Sequence, residues 1–313
     1  MKTEFTVLSL FDGVSCARLA LDRVGISPIK YYASEINKYA MRISEKNYPD
    51  IIQLGNVKDL NFEDLPPIDF MVFGFPCTDL SSLNSKREGL EGKHSGLLYD
   101  AIKVMEQVKP KYFLAENVNS MSNENKKKIT ELLKVEPIMI NSKLVSAQQR
   151  TRLYWTNIPI SQPEDKEIYL KDVIDSGYTE KEKSACITAT YASSSPANYF
   201  FRSERQRIFE VPVTAVTTTA SGFTCNYYYT PTEKIEVIYN KKEKYTDQKA
   251  RNLEALEKLK KITRKLTPTE CERLQTLPEH YTRHCSDNQR YAAIGNGFTV
   301  DVIAHILSFI PRP

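Results

Sequence analysis

The sequence predicts an α/β fold of the open-sheet type, interrupted by an inserted β-rich domain. Three observations carry this. Short apolar strands alternate with amphipathic helices through the first 160 residues. The opening unit is strand, glycine turn, helix, the start of a nucleotide-binding α/β fold. The alternation lapses near Ser161 and returns at about residue 263, so the chain ends in the style in which it begins. Residues 1–160 and 263–313 are therefore read as one unit, with residues 161–262 inserted into it.

Residues 5–10 (F-T-V-L-S-L) form the first strand, Gly13 supplies a tight turn, and residues 16–24 have helical apolar spacing up to Gly25. A second strand, 30–34, ends in Glu35. An acidic residue at a strand end about 20 residues after a glycine turn suits a ribose diol. Asn37 caps a helix running to about Asn47, and residues 51–54 form a strand closing on Gly55-Asn56-Val57. Residues 68–75 are a buried central strand, and Pro76, which cannot donate to a ladder, stops it. Cys77 thus follows the carboxyl end of a buried strand, where open sheets bind ligands. It reads either as a small buried hydrophobe or as a nucleophile on a rigid support.

Residues 83–95 are polar and loop-like. A helix at 97–108 stops at Pro110, and a strand at 111–115 ends in Glu116-Asn117-Val118. Glu116 is either a general acid beside Cys77 or an exposed strand-end carboxylate. Beyond a helix at 123–133, residues 137–141 and 144–145 look strand-like. Arg150 and Arg152 alternate, which places them on one face of a strand; they suit an anionic or polar ligand, or a charged edge. Residues 186–202 and 214–229 are rich in hydroxyl and aromatic side chains and read as strands of the inserted domain. A helix over 246–262 turns Leu253, Leu256, Leu259 and Ile262 inward. Thr267-Pro268-Thr269-Glu270 is a capping box, and residues 294–298 read as a tight turn before an apolar helix at 300–310.

The composition excludes several classes. No run approaches a membrane span or a signal peptide. The six cysteines (16, 77, 186, 225, 271 and 285) include no C-x-x-C pair, against a zinc site or a disulfide framework and for a reduced intracellular protein. The net charge of +4 is small, but residues 241–265 hold ten Lys/Arg and four Asp/Glu, a local +6. That segment is either a phosphate-binding surface or a solvated helix face.

In this order the motifs resemble those of the cytosine-C5 methyltransferase family: F-D-G at 11–13, G-F-P-C at 74–77, E-N-V at 116–118, Q-Q-R-T-R at 148–152, R-K-L-T-P-T-E-C-E-R-L-Q at 264–275 and G-N-G at 295–297. The resemblance spans both ends of the chain and leaves one variable gap, at about 160–262, where the family carries its target-recognition domain. It implies a Rossmann-like S-adenosylmethionine-dependent methyltransferase domain acting on cytosine in double-stranded DNA. Cys77 would be the thiolate that adds to the ring, Glu116 the proton donor, and Arg152 the holder of the base carbonyl. Arg150 would support the pocket, Asn117 its backbone and Pro76 the cysteine turn. Phe11, Gly13, Val14, Glu35, Ile36, Asn56, Val57, Leu97 and Asn296 would hold the methyl donor, with no metal. The 78–95 loop would close behind an extruded base.

The resemblance further implies a monomer without membrane contact, acting in the cytoplasm of a bacterial or phage-infected cell. Its partner there would be a cognate restriction endonuclease. Ser15-Cys16 stands in place of a Gly pair, Asn56 in place of Asp, and Gly297-Phe298 in place of smaller residues. The P-C-T-D-L-S and V-S-A-x-x-R-x-R-x-x-W stretches also resemble the animal de novo enzymes, which would imply a CG-type target. A transfer-RNA methyltransferase of the same fold, a non-catalytic DNA-binding relative and a thiol-dependent pyrimidine nucleotide enzyme are the competing readings. The length of the 160–262 segment favours DNA over the first. The joint presence of Cys77, Glu116 and Arg152 disfavours the second, and the inserted domain disfavours the third.

Overall fold

The computed structural model describes residues 5–81, 88–92, 95–202, 204–220, 223–240 and 242–311. The first part of the chain runs β1 (Thr6–Leu10), α1 (Cys16–Arg23), β2 (Lys30–Ser34), α2 (Lys38–Asn47), β3 (Ile52–Gln53), β4 (Phe70–Gly74), α3 (Leu97–Val108), β5 (Tyr112–Val118), α4 (Asn123–Leu133), β6 (Ile138–Asn141) and β7 (Thr151–Thr156). Next come α5 (Pro196–Arg202), β8 (Arg207–Phe209), β9 (Thr214–Ala220), β10 (Phe223–Tyr229), β11 (Lys234–Tyr239), α6 (Tyr245–Arg251), α7 (Leu253–Ile262) and β12 (Thr263–Lys265). The chain returns to the first layer with α8 (Pro268–Leu274), α9 (Asp287–Asn296) and α10 (Val300–Leu307).

Seven strands make the main sheet, in the order β3-β2-β1-β4-β5-β7-β6. The first five are parallel, and β7 runs antiparallel to both β5 and β6. The mixed α/β class expected from the sequence is thus the observed one. The central strands are mostly apolar because both faces are covered. Val7, Phe70 and Val72 point into a layer with α1 and α10, while Leu8, Met71 and Phe73 point into the layer of α3. A third apolar cluster, including Tyr199, Phe200, Phe209, Tyr228, Val237 and Leu259, lies within the 197–259 region. It supports the antiparallel sheet β11-β10-β9.

Several elements differ from expectation. Residues 144–145 are not a strand; a 3-10 turn occupies Ser142–Leu144. Residues 186–202 are a 3-10 turn and α5, with Pro196 starting the helix rather than sitting in a sheet. The single helix expected over 246–262 is broken at Asn252. Its side chain accepts from Ile238 N at 2.8 Å and donates to Ile238 O at 2.6 Å, so it bonds to β11 as the two helices meet. Leu253, expected inside, is 57% exposed, whereas Leu256 and Leu259 are buried. Gly295 and Asn296 end α9 rather than forming a free turn, and Ser286 and Gln289 box its other end. Arg150 precedes β7 rather than sharing its face with Arg152.

Strand order reverses between β1 and β4, since β2 flanks β1 on one side and β5 flanks β4 on the other. The carboxyl ends of β1 and β4 therefore splay apart and open a crevice at that point. Phe11–Gly13 and Pro76-Cys77 leave the sheet there.

Candidate active site

A cavity of about 420 Å³ occupies this crevice, a size typical of small-ligand sites (about 300–1,000 Å³). It is lined by fourteen of the site residues named from the sequence: Phe11, Gly13, Val14, Glu35, Ile36, Asn56, Val57, Pro76, Cys77, Leu97, Glu116, Arg150, Arg152 and Asn296. Asn117 stands behind the wall. It is buried, and its Nδ2 donates to Phe75 O at 2.9 Å while its Oδ1 accepts from Val118 N at 2.8 Å. This pins the last peptide of the strand before the Pro76-Cys77 turn.

After Cys77 the chain makes a helical turn, with Leu80 N and Ser81 N donating to Cys77 O at 3.0 and 2.9 Å. The returning end of the loop is tied to the same turn. Ser95 donates through Oγ to Pro76 O and through N to Asp79 Oδ2, each at 3.1 Å. A Cβ at Gly92 would lie 2.4 Å from the Asp79 carboxyl carbon, so only glycine admits this approach. Of the loop expected to close over a base, residues 82–87, 93 and 94 lie outside the described residues.

Glu116 ends up beside Cys77 because β5 pairs with β4, register Gly74 to Glu116. Its Oε1 lies 2.9 Å from Arg152 Nε. Burial, and then the charge of Glu116, push the Cys77 thiol above its ordinary value, against the pull of Arg152 and Arg150. In the free protein Cys77 is therefore held as a thiol.

Arg150 is buried and bound mainly by carbonyls: Nη1 donates to Ile187 O at 3.0 Å, and Nη2 to Gly295 O at 3.2 Å and Gly297 O at 3.0 Å. Two of these acceptors close α9, where a cation complements the helix dipole. The same guanidinium reaches Cys186 Sγ at 3.4 Å, and Arg152 Nη2 lies 4.0 Å from that sulfur. Burial alone would raise the Cys186 thiol, but Arg150 and Arg152 outweigh it and hold the group below its ordinary value.

On the other side of the cavity, Phe11, Gly13 and Ser15 all have left-handed backbones, with φ of 54°, 61° and 60°. For Phe11 and Ser15 that conformation is strained. The buried Asp12 secures them, accepting from Ser15 Oγ at 2.5 Å and Tyr31 OH at 2.7 Å. Ser15 Oγ also meets Ser44 Oγ at 2.6 Å, so this hydroxyl is engaged on both sides. Glu35 accepts from Gly13 N, Ile36 N and Asn37 N, each at 2.8 Å. Three amides fix its carboxylate at the cavity edge, and a carboxylate keeps further acceptor sites for hydroxyl groups. Asn56 Oδ1 accepts from Lys58 N at 3.2 Å. Apolar Phe11, Val57 and Leu97 with the polar Glu35 and Asn56 fit a nucleoside: flat faces to cover and a diol to bind.

Sequence reasoning missed Tyr39, Gln289 and Ala292, which also line the cavity. It also left Cys186 without a role. The helix that brings Gln289 and Ala292 carried a readable capping box at Ser286; no local pattern marks Cys186. In the basic segment, Arg251, Lys258, Lys260 and Arg264 pair with Glu243, Glu233 and Glu254, Glu257, and Glu270 respectively, so part of the local charge is neutralised at close range. Lys241 lies outside the described residues. Among the described residues no helix is long and apolar enough to cross a membrane, and no group of three His, Cys, Asp or Glu could hold a metal.

Comparison with known proteins agrees with this architecture. A family profile described as C-5 cytosine-specific DNA methylase matches residues 5–312. The type II methyltransferase M.FnuDI of Fusobacterium nucleatum is 28% identical over 337 residues, covering 96% of this chain and 92% of that protein. M.HhaI of Haemophilus parahaemolyticus is 23% identical over 334 residues, covering 97% and 93%. Among solved structures, the methyltransferase EhMeth of Entamoeba histolytica superposes with a TM-score of 0.67 at 17% identity, covering 98% of each chain. A DNMT2 variant from Spodoptera frugiperda gives 0.63 at 18% identity, covering 98% of this chain and 99% of that one. At such identities the structural likeness concerns the fold.

Proposed function

This chain belongs to the C-5 cytosine-specific DNA methylase family, and from that membership we propose that it methylates carbon 5 of a cytosine within a specific sequence of double-stranded DNA. The observation that carries the reading is the single cavity shared by Cys77, Glu116 and Arg152 with Phe11, Glu35, Asn56, Leu97 and Asn296. S-adenosylmethionine, when bound there, supplies an electrophilic methyl group. Phe11 and Ile36 would cover its adenine, Asn56 would accept from the adenine amine, and Glu35 would bind the ribose hydroxyls. Gly13, Val14, Val57, Leu97 and Asn296 complete the pocket.

Cytosine carbon 5 is a poor nucleophile. Addition of the Cys77 thiolate at carbon 6 forms a sulfur–carbon bond and drives the ring electrons toward nitrogen 3 and carbon 5. Glu116 as the acid delivers a proton to nitrogen 3, and Arg152 holds the ring carbonyl. Once carbon 5 carries the methyl group, the donor's sulfur having kept the pair of the broken bond, the carbon-5 hydrogen leaves as a proton to water, nitrogen 3 returns its proton to Glu116, and the thiolate departs as the double bond re-forms. The reacting site needs Cys77 as a thiolate and Glu116 as an acid, so the proton that leaves the thiol can be the one that Glu116 delivers. Arg150 and Arg152 favour the thiolate of Cys77.

The target atom is shielded in a stacked duplex, so the base must be extruded into the cavity. We read residues 161–262 as the part that selects the sequence, with the exposed, threonine-rich β9 presenting hydroxyls to a groove. Lysines near 241–265 would contact phosphates. The type II names of the relatives support a bacterial or phage-infected cytoplasm and a cognate restriction endonuclease as the setting; we read the protein as a monomer there. The test is bisulfite sequencing of unmethylated plasmid after incubation with the protein and S-adenosylmethionine. Protection of cytosines in one short context is expected. Complete conversion on DNA, with protection appearing on transfer RNA, would move the substrate to RNA.

A further inference from the structure

We propose that Cys186 is a positioning residue for this reaction: its sulfur holds the Arg152 guanidinium through a nitrogen that Glu116 does not use, so the arginine stays seated when Glu116 becomes an acid. The proposal rests on the methyl-transfer reading of Arg152 and Glu116 given above.

Arg150 and Arg152 bring two guanidiniums, and Glu116 pairs with Arg152 alone. Arg150 has carbonyl partners at Ile187, Gly295 and Gly297, and its remaining close partner is Cys186 Sγ at 3.4 Å. Arg152 divides its nitrogens among Glu116 (Nε, 2.9 Å), Thr151 O (Nη1, 2.9 Å) and Cys186 Sγ (Nη2, 4.0 Å). Cys186 Sγ also reaches Ile187 O at 3.5 Å, and the two guanidiniums beside it hold its thiol below the ordinary value, so it yields its proton more readily than a free cysteine. When Glu116 takes up the proton destined for nitrogen 3, Arg152 loses its carboxylate. The Cys186 sulfur is then the side-chain partner that remains against it.

The sulfur is firmly placed. Ser184 N donates to Ala147 O at 2.7 Å and Gln149 N to Ser184 O at 2.9 Å, lacing the segment to the approach of β7. Ile187 N donates to Gln148 Oε1 at 2.7 Å. A Cβ at Gly295 would lie 2.2 Å from the Thr188 carbonyl carbon, so α9 also presses on this segment. Lys183, three residues before it, is turned away to the carbonyls of Lys143, Ser146 and Ile168. Cys77 and Tyr154 also act on Arg152, but less strongly than Cys186 and Glu116.

The experiment compares the full-length protein with Cys186→Ser and Cys186→Ala in methyl transfer, donor affinity and thermal melting. Cys186→Ser is expected to melt as the wild type does and to keep its donor affinity, with kcat lower by about 10- to 100-fold, the scale of a displaced catalytic group. A second readout is independent of turnover. Thiolate absorbance is followed against pH in Cys77→Ser and in Cys77→Ser/Cys186→Ser, and the first should carry one extra thiolate that ionises below the ordinary 9.0. Turnover of Cys186→Ser within about twofold of wild type overturns the proposal, since mispositioning costs more than that. So does the lack of any difference between the two titrations below pH 9.0. If the wild type itself leaves DNA unmethylated, the reading of the substrate fails separately, and the titration decides the anchoring of Arg152.

Discussion

Replacing Gly74 with alanine would load the site at its tightest point. A Cβ there would lie 2.7 and 2.9 Å from two ring carbons of Phe298 and 3.2 Å from Glu116 Oε2. Carbon atoms pack at about 3.5–4.0 Å, so the ring or the strand must give by roughly 1 Å. Gly74 and Glu116 face each other across the β4–β5 ladder, and the added methyl cannot rotate away. Overpacking of this kind costs about 1–3 kcal/mol in stability. For a catalytic carboxylate, a displacement of about 1 Å costs about 100-fold in rate. Gly74→Ala should therefore fold, melt a few degrees lower, and transfer methyl groups about 100-fold more slowly. Adding Phe298→Val removes the obstructing ring and should return at least about tenfold, a coupling of about 1.4 kcal/mol within the range for residues in contact. The assay is incorporation of labelled methyl into DNA, with melting curves for all four proteins of the cycle. Near-wild-type turnover of Gly74→Ala, or no recovery in the double variant, would refute the placement of Phe298 and Glu116.

Cys77→Ser should abolish methyl transfer while leaving DNA binding, measured by gel shift, largely intact; detectable turnover at the wild-type rate would remove Cys77 from the mechanism. Glu35→Ala strips the acceptor from Gly13, Ile36 and Asn37 amides as well as from the donor. Calorimetry should show donor affinity down by about 10- to 100-fold, the worth of one or two charge-assisted hydrogen bonds; unchanged affinity would place the ribose elsewhere. The raised Cys77 thiol has a sign that alkylation can read. A thiol with a raised value stays protonated at neutral pH, so its alkylation rate, followed by peptide mass mapping in the free protein, should climb about tenfold per pH unit and not level off below 9.0. A plateau near neutrality would contradict the buried, Glu116-facing placement.

Much of the fold and site was legible because it is encoded locally. The strand–turn–helix of residues 5–23, the acidic end of β2 and the Pro76 stop each declare themselves within a few residues. Fourteen named residues then meet in one cavity because parallel strands deliver their carboxyl ends to one edge. What could not be read is tertiary. Gly295 looked like a turn because glycine is a poor helix former. Its lack of a side chain is spent instead on contact with the backbone of Thr188 and Ala189. Leu253 looked inward only while the helix was taken as unbroken, and Asn252 breaks it by bonding to β11. Cys186 draws its surroundings from Arg150 and Arg152, more than 30 residues away.

The contact between α10 and α1 bears on how the protein is made. Asp301 pairs with Arg23, and Val302, Ile303 and Ile306 share an apolar layer with Ala17, Ala20 and Leu21. Gln289 and Ala292 of α9 also wall the cavity begun by Phe11. On the ribosome, the first sheet face emerges well before the helices that cover it. At about 5–20 residues per second, the roughly 100 residues between β7 and β12 take about 5–20 s to synthesise. For that interval the layer has Leu170, Ile187 and Ile208 to draw on but not Val302, Ile303 and Ile306, and the pocket is finished only when the last helices are delivered.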